Sequence, residues 1–109
     1  LQLAELSTEA IREHLAAQPR SVALLTTGAT EAHGPHLPLA TDTIISEEML
    51  RRGGLRLAAA GMLAVRLPAL NYALTDWARA FPGTISLKEE TATALVLEVC
   101  VAAARMGFA

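Results

Sequence analysis

The stretch SVALLTTGATEAHGPHLPLATDT, residues 21–43, decides how this 109-residue chain folds. Its first part, residues 21–27, is a short apolar run between a proline and a glycine, which is typical of a strand buried on both faces. Its last residues are helix N-cap formers, and apolar residues then recur at helical spacing from Ile44 to Leu50. The stretch therefore predicts a strand, a polar loop and a helix.

The segments on either side extend this pattern. An S-x-x-E pattern, Ser86 with Glu89, predicts a capping box at the start of the last helix. Strands joined through a crossover helix lie parallel, so the predicted fold class is α/β, a mostly parallel sheet flanked by helices. In chain order we expect a helix over 8–17, a strand over 21–27, a helix from about 43 to Gly61, a strand over 62–67, a long loop with aromatic content over 68–83 and a helix from about 88 to 106.

The predicted sheet is incomplete. Two strands make a poor parallel sheet, because such sheets bury both of their faces. Gly107 should end the last helix. The aromatic Phe108 directly after it is typical of the start of a further strand in such a fold. We therefore expect residues 1–109 to be the N-terminal part of a single larger domain.

The composition indicates a packed chain without a nucleic-acid or membrane partner. It is 52 % hydrophobic and 18 % charged, and its net charge of −2 arises from 9 basic and 11 acidic residues spread along the chain. No basic stripe could follow phosphates, and no uncharged apolar window reaches the roughly 18 residues of a membrane span. The lone Cys100 lies in an apolar run, which predicts a buried thiol and a reducing, cytoplasmic location.

The polar loop contains a candidate metal site. Glu31 and His33 are two residues apart, so in an extended chain they project to the same side. Pro35 and Pro38 keep the next segment out of the sheet, and Asp42 adds a second carboxylate where the helix begins. Ligands bind at such strand ends in open α/β sheets, and mixed imidazole and carboxylate ligands suit Zn, Mn or Fe(II).

Each of these side chains also has a plain structural interpretation. Asp42 could be an N-cap worth about 1 kcal/mol. His33 and His36 could be loop histidines bonded to backbone carbonyls, and Glu31 could be solvated. Spacing alone leaves both interpretations open, because an E-x-H pattern is weak by itself.

A longer pattern covers the same loop. The string GATEAHGPHLPLATDT, residues 28–43, resembles the signature of the creatininase (creatinine amidohydrolase) family, G-(S/A)-x-E-x-H-G-P-H-L-P-L-x-x-D, with every diagnostic residue present. The block FPGTISL, residues 81–87, and the helix that ends at Gly107-Phe108 are similar to the middle region of that family. The resemblance therefore extends from about residue 20 to the end of the chain.

The resemblance implies a creatininase-like α/β/α domain with two divalent ions, Zn or Mn, with Fe possible. By that resemblance Glu31 would bind one ion, His33 would bind the other, and Asp42 would bridge the two ions. His36 would not contact an ion but would orient one of the ligands or the loop. Members of the family hydrolyse amide or amidine-like C–N bonds, often in cyclic or formylated nitrogen compounds, with a metal-bridging water as nucleophile. The implied substrate is a small nitrogenous compound.

The chain departs from the family pattern in two respects. The remaining ligands usually lie in an N-G-H-x-x-N-like segment with a catalytic carboxylate farther on, and residues 1–109 contain neither. Asn71-Tyr72-Ala73 stands where a Tyr-Gly pair is usual, and the segment around Trp77 replaces one that often contains a histidine. Tyr72 and Trp77 are candidates to stack on a flat nitrogenous substrate or to contact another subunit, with core packing as the structural alternative.

These observations support two classes of function. We expect a metal-dependent amidohydrolase that forms a homo-oligomer, in which this chain alone is at best weakly active because the distal ligands are missing. The alternative is a truncated or degenerate, non-catalytic chain that self-associates through its unfinished sheet edge. A third alternative, a small complete metal-binding domain, would require a closed fold that contains only two strands.

Overall fold

The computed structural model describes all of residues 1–109 and confirms an α/β fold. Short 3-10 turns precede the first helix, at Leu3–Glu5, and interrupt the long loop, at Asp76–Ala78. None of the helices has the length and apolar character needed to cross a bilayer. The strands are β1 (Val22–Leu24) and β2 (Ala64–Arg66), and the helices are α1 (Thr8–Ala17), α2 (Thr41–Ala59) and α3 (Glu89–Met106).

The two strands form a parallel pair connected by α2. Val22 lies opposite Ala64 in the register of the pair. The regular pairing is shorter than the apolar runs that predicted it, because Pro68 has no N–H to donate and breaks the ladder after β2. Pairing resumes only as an isolated bridge between Thr27 and Leu70. The ends of both strands thus open into loops at the same edge of the sheet.

The alternation of side chains along β1 assigns the helices to two faces. Leu24 points toward α2, where a Cβ placed on Gly54 would lie 3.8 Å from Leu24 Cδ1. Its neighbour Ala23 faces the other way and packs on the hydrophobic core. This arrangement gives helix, sheet and helix layers. The core consists of Val65, Leu67, Ala103 and Phe108, with Ile11 and Leu15 of α1 and Val99 of α3 packed against it.

The helix ends follow the sequence signals only in part. The Ser7 hydroxyl caps α1 by accepting from the Ala10 N–H at 3.1 Å, and Gly107 ends α3 with φ of 102°. The predicted capping box is wrong, since no side chain caps α3. The Ser86 hydroxyl is engaged elsewhere, by the Asp76 carboxylate at 2.8 Å.

The residues after α3 return to the sheet. Phe108 is buried in the core, and the Ala109 N–H donates to the Ser21 carbonyl oxygen at 2.9 Å, next to the start of β1. The expectation that residues 1–109 belong to a larger domain stays a prediction.

The outer faces of α2 and α3 carry exposed apolar side chains. Cys100 is exposed as well, so the prediction of a buried thiol is wrong. The side of α3 that packs on the core presents Val99 and Ala103, one turn apart, and the residue after Val99 points about 100° away from them. Large exposed side chains on these faces include Ile44, Ile45, Met49 and Leu55 of α2 and Val96, Leu97 and Val101 of α3.

Candidate metal centre

The loop between β1 and α2 brings the three predicted ligands to one point. Glu31, His33 and Asp42 each offer one ligand atom, and these atoms lie within 4.8 Å of one another. The His33 Nε2 atom is 3.1 Å from Asp42 Oδ1 and 3.9 Å from Glu31 Oε1. The loop therefore forms a pocket of two carboxylates and one imidazole.

A close backbone approach positions the start of α2 against the end of β1. Gly28 packs so tightly on α2 that an added Cβ would lie 2.7 Å from Thr43 Cα and 2.8 Å from Thr43 N. Only a residue without a side chain leaves room for this contact. Because Asp42 precedes Thr43, the contact fixes the second carboxylate relative to the strand.

Hydrogen bonds to the long loop hold the ligand-bearing segment. The Ile85 N–H donates to the Thr30 carbonyl oxygen at 2.9 Å, and the Ala32 N–H donates to Thr84 Oγ1 at 3.1 Å. These bonds anchor the residues on both sides of Glu31. The backbone of Glu31 is therefore fixed by contacts that do not use its carboxylate.

Asp42 does not cap α2, contrary to its structural interpretation. It is the second residue of the helix, and Ala40 occupies the N-cap position without any side-chain cap. Its carboxylate instead faces the His33 ring. Asp42 lies in the first turn of α2, so its side chain is placed to contribute a ligand oxygen to the cluster.

Glu31 is the buried member of the cluster. Only 6 % of the residue is exposed, and its Oε2 atom is buried without a hydrogen-bond partner. Burial raises the pKa of Glu31, and the hydrogen bond and negative charge of Asp42 raise it further, while His33 opposes the shift. A buried carboxylate oxygen without a donor is costly, and a cation would satisfy it. This atom is the reason that the site fits a metal ion.

The His33 ring is oriented by the backbone. Its Nδ1 atom lies 3.2 Å from the Glu31 carbonyl oxygen, which can only accept, so Nδ1 carries the proton. This carbonyl is the main cause that raises the pKa of His33; burial opposes it, and the carboxylates of Asp42 and Glu31 add to the increase. Once Nε2 is deprotonated, its lone pair points toward the carboxylates, as in histidines that bind metals.

The other predicted site residues lie outside this cluster. His36 is exposed, makes no side-chain hydrogen bond and sits beside Gly34. Tyr72 and Trp77 are 50 % and 72 % exposed, so neither is packed in the core of this chain. The orienting role of His36 and the substrate contacts of Tyr72 and Trp77 stay predictions.

A cleft of about 620 Å³ opens beside His33. Trp77 lines it, and so does Phe81, while Tyr72 does not. No function was predicted for Phe81, although it begins the block FPGTISL that resembles the family. The available signal was an aromatic residue four positions after Trp77, in a loop that a Pro-Gly turn ends.

Comparisons with known sequences give consistent matches. A family model described as Creatininase: Creatinine amidohydrolase matches residues 4–109. The chain is 40 % identical over 76 residues to a mycofactocin precursor peptide peptidase of Mycobacterium tuberculosis, a match that covers 65 % of this chain and 30 % of that protein. A protein of the same description from Mycolicibacterium smegmatis is 37 % identical over 79 residues, with 69 % and 31 % covered.

Solved creatininase structures share the fold. A Mn creatininase matches with a TM-score of 0.84 and 28 % identity over 98 % of this chain and 41 % of that chain. A creatinine amidohydrolase matches with a TM-score of 0.80 and 29 % identity, covering 97 % and 40 %. A mutant creatininase of the Zn-Zn type matches with a TM-score of 0.77 and 28 % identity, covering 97 % and 41 %. The chain thus spans less than half the length of its relatives.

Proposed function

Because this chain belongs to the creatininase family, we propose that Glu31, His33 and Asp42 bind divalent metal at a site that serves the hydrolysis of an amide-type C–N bond. The observation that carries this proposal is the convergence of their ligand atoms within 4.8 Å. Two carboxylates and an imidazole suit Zn, Mn or Fe(II). The Mn and Zn-Zn forms of similar creatininases support Zn or Mn here.

The three ligands have different roles in the proposal. Glu31 binds one ion, because its buried Oε2 has no other partner. His33 binds a second ion through Nε2, the ring nitrogen that faces the carboxylates. Asp42 would hold both ions, since its carboxylate offers two oxygens at the start of α2.

The chemistry divides between the ions and the protein. When bound, divalent ions act as Lewis acids and lower the pKa of water to about 7. The protein positions the ligands before an ion arrives, through the Gly28–Thr43 contact and the bond from His33 to the Glu31 carbonyl. The burial of Glu31 keeps water from competing for its carboxylate. Such preorganisation lowers the cost of assembling the site.

The substrate we propose is a small nitrogenous compound with an amide-type bond. The three histidines of the chain are His14, His33 and His36, and only His33 faces the cluster. We therefore propose that further ligands and a catalytic acid come from a larger creatininase domain, which acts in the cytoplasm as a homo-oligomer. The span of about 40 % of the solved chains supports this proposal.

A second candidate function is self-association without catalysis. The exposed apolar faces of α2 and α3 favour it, because contiguous apolar surface commonly marks a protein–protein contact. In this case the residues of the loop would be retained for folding, and the chain would carry no metal.

The test is the metal content of the purified protein, measured by elemental mass spectrometry. We expect bound Zn or Mn in the wild type and its loss in Asp42→Asn and Glu31→Gln. The matched control is Glu47→Gln, an exposed carboxylate on α2 outside the cluster, which should retain the metal. Hydrolysis of creatinine or formamide with added Mn should follow the same order. An oligomer without metal or turnover would contradict the proposal and support self-association.

A further inference from the structure

We propose that Trp77 and Phe81 form an aromatic wall that binds a flat, uncharged group of the substrate next to the metal centre; this inference rests on the proposed function. Both residues line the 620 Å³ cleft that contains His33. They are 72 % and 55 % exposed, so their rings are available to a ligand. Aromatic faces bind flat groups by stacking as well as by apolar burial.

The location of the cleft identifies which part of the substrate it would take. His33 belongs both to the cleft and to the candidate metal centre. A substrate whose amide lies at the metal centre therefore has its neighbouring group against the aromatic wall. The wall would act on specificity, since it is placed beside the reacting bond rather than at it.

The lining of the cleft indicates an uncharged group. No lysine, arginine, aspartate or glutamate lines it, and His33 is its one titratable residue. A charged group entering the cleft would lose water without gaining a partner of opposite charge, which is costly. A flat, neutral group loses little and gains contact with two rings. The remaining lining residues are Ala32, Gly34, Pro35 and Pro82.

The wall is held in place by a hydrogen-bonded turn. Trp77 lies in the 3-10 turn Asp76–Ala78. The Ser86 hydroxyl donates to Asp76 Oδ1 at 2.8 Å and accepts from the Thr75 N–H at 2.9 Å. Ser86 thereby fixes both residues that precede Trp77, and it is a positioning residue for the wall.

The experiment uses benzamide as the flat, uncharged probe and cyclohexanecarboxamide as its non-planar counterpart. Trp77 is the single tryptophan of the chain, so intrinsic tryptophan fluorescence reports on the wall directly. Titration in EDTA makes the readout independent of metal. We expect saturable binding of benzamide and weaker binding of cyclohexanecarboxamide. Phe81→Leu should weaken benzamide binding roughly threefold to tenfold, the range expected for one aromatic pair.

Two further variants separate the wall from general stability. Ser86→Ala should weaken benzamide binding and change the emission of Trp77, and Ser86→Thr, which keeps a hydroxyl, should restore both. Leu97→Ala, an exposed apolar residue of α3 outside the cleft, should leave benzamide binding unchanged.

Three results would overturn the inference. They are equal binding of the two carboxamides, unchanged binding by Phe81→Leu, or Trp77 emission that responds to protein concentration and not to benzamide. The last would make the wall a subunit contact. Metal content measured without EDTA on the same preparations reports separately on the proposed function. If the wild type binds benzamide but contains no metal when it is prepared without EDTA, the proposed function is wrong and the inference about the aromatic wall is retained.

Discussion

The loop after β1 and the outer faces of α2 and α3 differ in which side chains they bury. In the loop, Glu31 is 6 % exposed, whereas Ile45 of α2 and Leu97 of α3 are 57 % and 60 % exposed. Carboxylates usually face water and large aliphatic side chains usually avoid it, so both regions reverse the ordinary pattern. Backbone hydrogen bonds and one close glycine contact fix the loop, whereas nothing in this chain covers the helix faces. We place the function at the loop, because its buried side chain is a carboxylate.

The largest expected effect is on metal affinity at the loop. His33→Gln keeps a polar side chain of similar size but removes the imidazole that faces the carboxylates. We expect the affinity for Zn, measured by calorimetry, to fall by at least about 100-fold, since even residues that only support ligands contribute about 10- to 100-fold. His14→Gln is the matched control, because His14 is outside the cluster and bonds to Ser21, which precedes β1, whereas the loop with the cluster follows β1. Equal affinities in the two variants would contradict the assignment.

The next effect concerns the close approach that shapes the loop. Gly28→Ala introduces a Cβ 2.7 Å from Thr43 Cα, so the start of α2 must move. Overpacking of this kind costs roughly 1–3 kcal/mol of unfolding free energy. Chemical denaturation would measure that loss, and metal affinity should fall with it because Asp42 moves with α2. Unchanged stability and affinity would show that the contact does not position the site.

A smaller effect is expected from pH. The pKa values of Glu31 and His33 are raised, so in the metal-free site both hold protons at higher pH than usual. Protons compete with metal for the same atoms, and affinity therefore falls as pH decreases, by roughly tenfold per pH unit for each ligand that is protonated. Zn titrations from about pH 8 down to about pH 6 would show the decline within the range where histidine titrates. An affinity independent of pH over this range would rule out ligation by His33.

The smallest effect sharpens the contrast between the two regions. Gly53 lies within α2, and nothing is within 4 Å of a Cβ added there. Gly53→Ala should therefore stabilise the protein by about 1 kcal/mol, because alanine favours a helix more than glycine does. Metal affinity should not change. A destabilised Gly53→Ala variant would mean that something does cover this face of α2.

The sequence predicted the elements well where local patterns determine them. Residues 8–17 were predicted as a helix and match α1, since Ser7 provides a cap and the pair Ile11 and Leu15 faces the core. The predicted strands were too long, because regular pairing covers only Val22–Leu24 and Ala64–Arg66. An apolar run does not reveal where two strands stop pairing, and here Pro68 interrupts the pairing after β2. The exposure of individual side chains was harder to predict than the elements. Cys100 was expected to be buried, but burial depends on which side of α3 meets the core.

The candidate site was predicted in composition but not in its supports. Glu31, His33 and Asp42 could be chosen from spacing and from the family signature. The alternative use of Asp42 as an N-cap could be excluded only by the structure, which places Ala40 at that position. The contribution of Ser86 was misassigned, because its pattern fits a capping box locally while its hydroxyl bonds to Asp76 ten residues earlier.

Anomalous X-ray diffraction from crystals grown with Mn would show directly whether the loop after β1 binds metal. The proposed ligand assignment predicts two anomalous peaks at this cluster, one beside the Glu31 carboxylate and one beside His33 Nε2, with the Asp42 carboxylate next to both. Saturating Mn that yields no peak there, with the His33 ring turned away from both carboxylates in a correctly folded molecule, would contradict it.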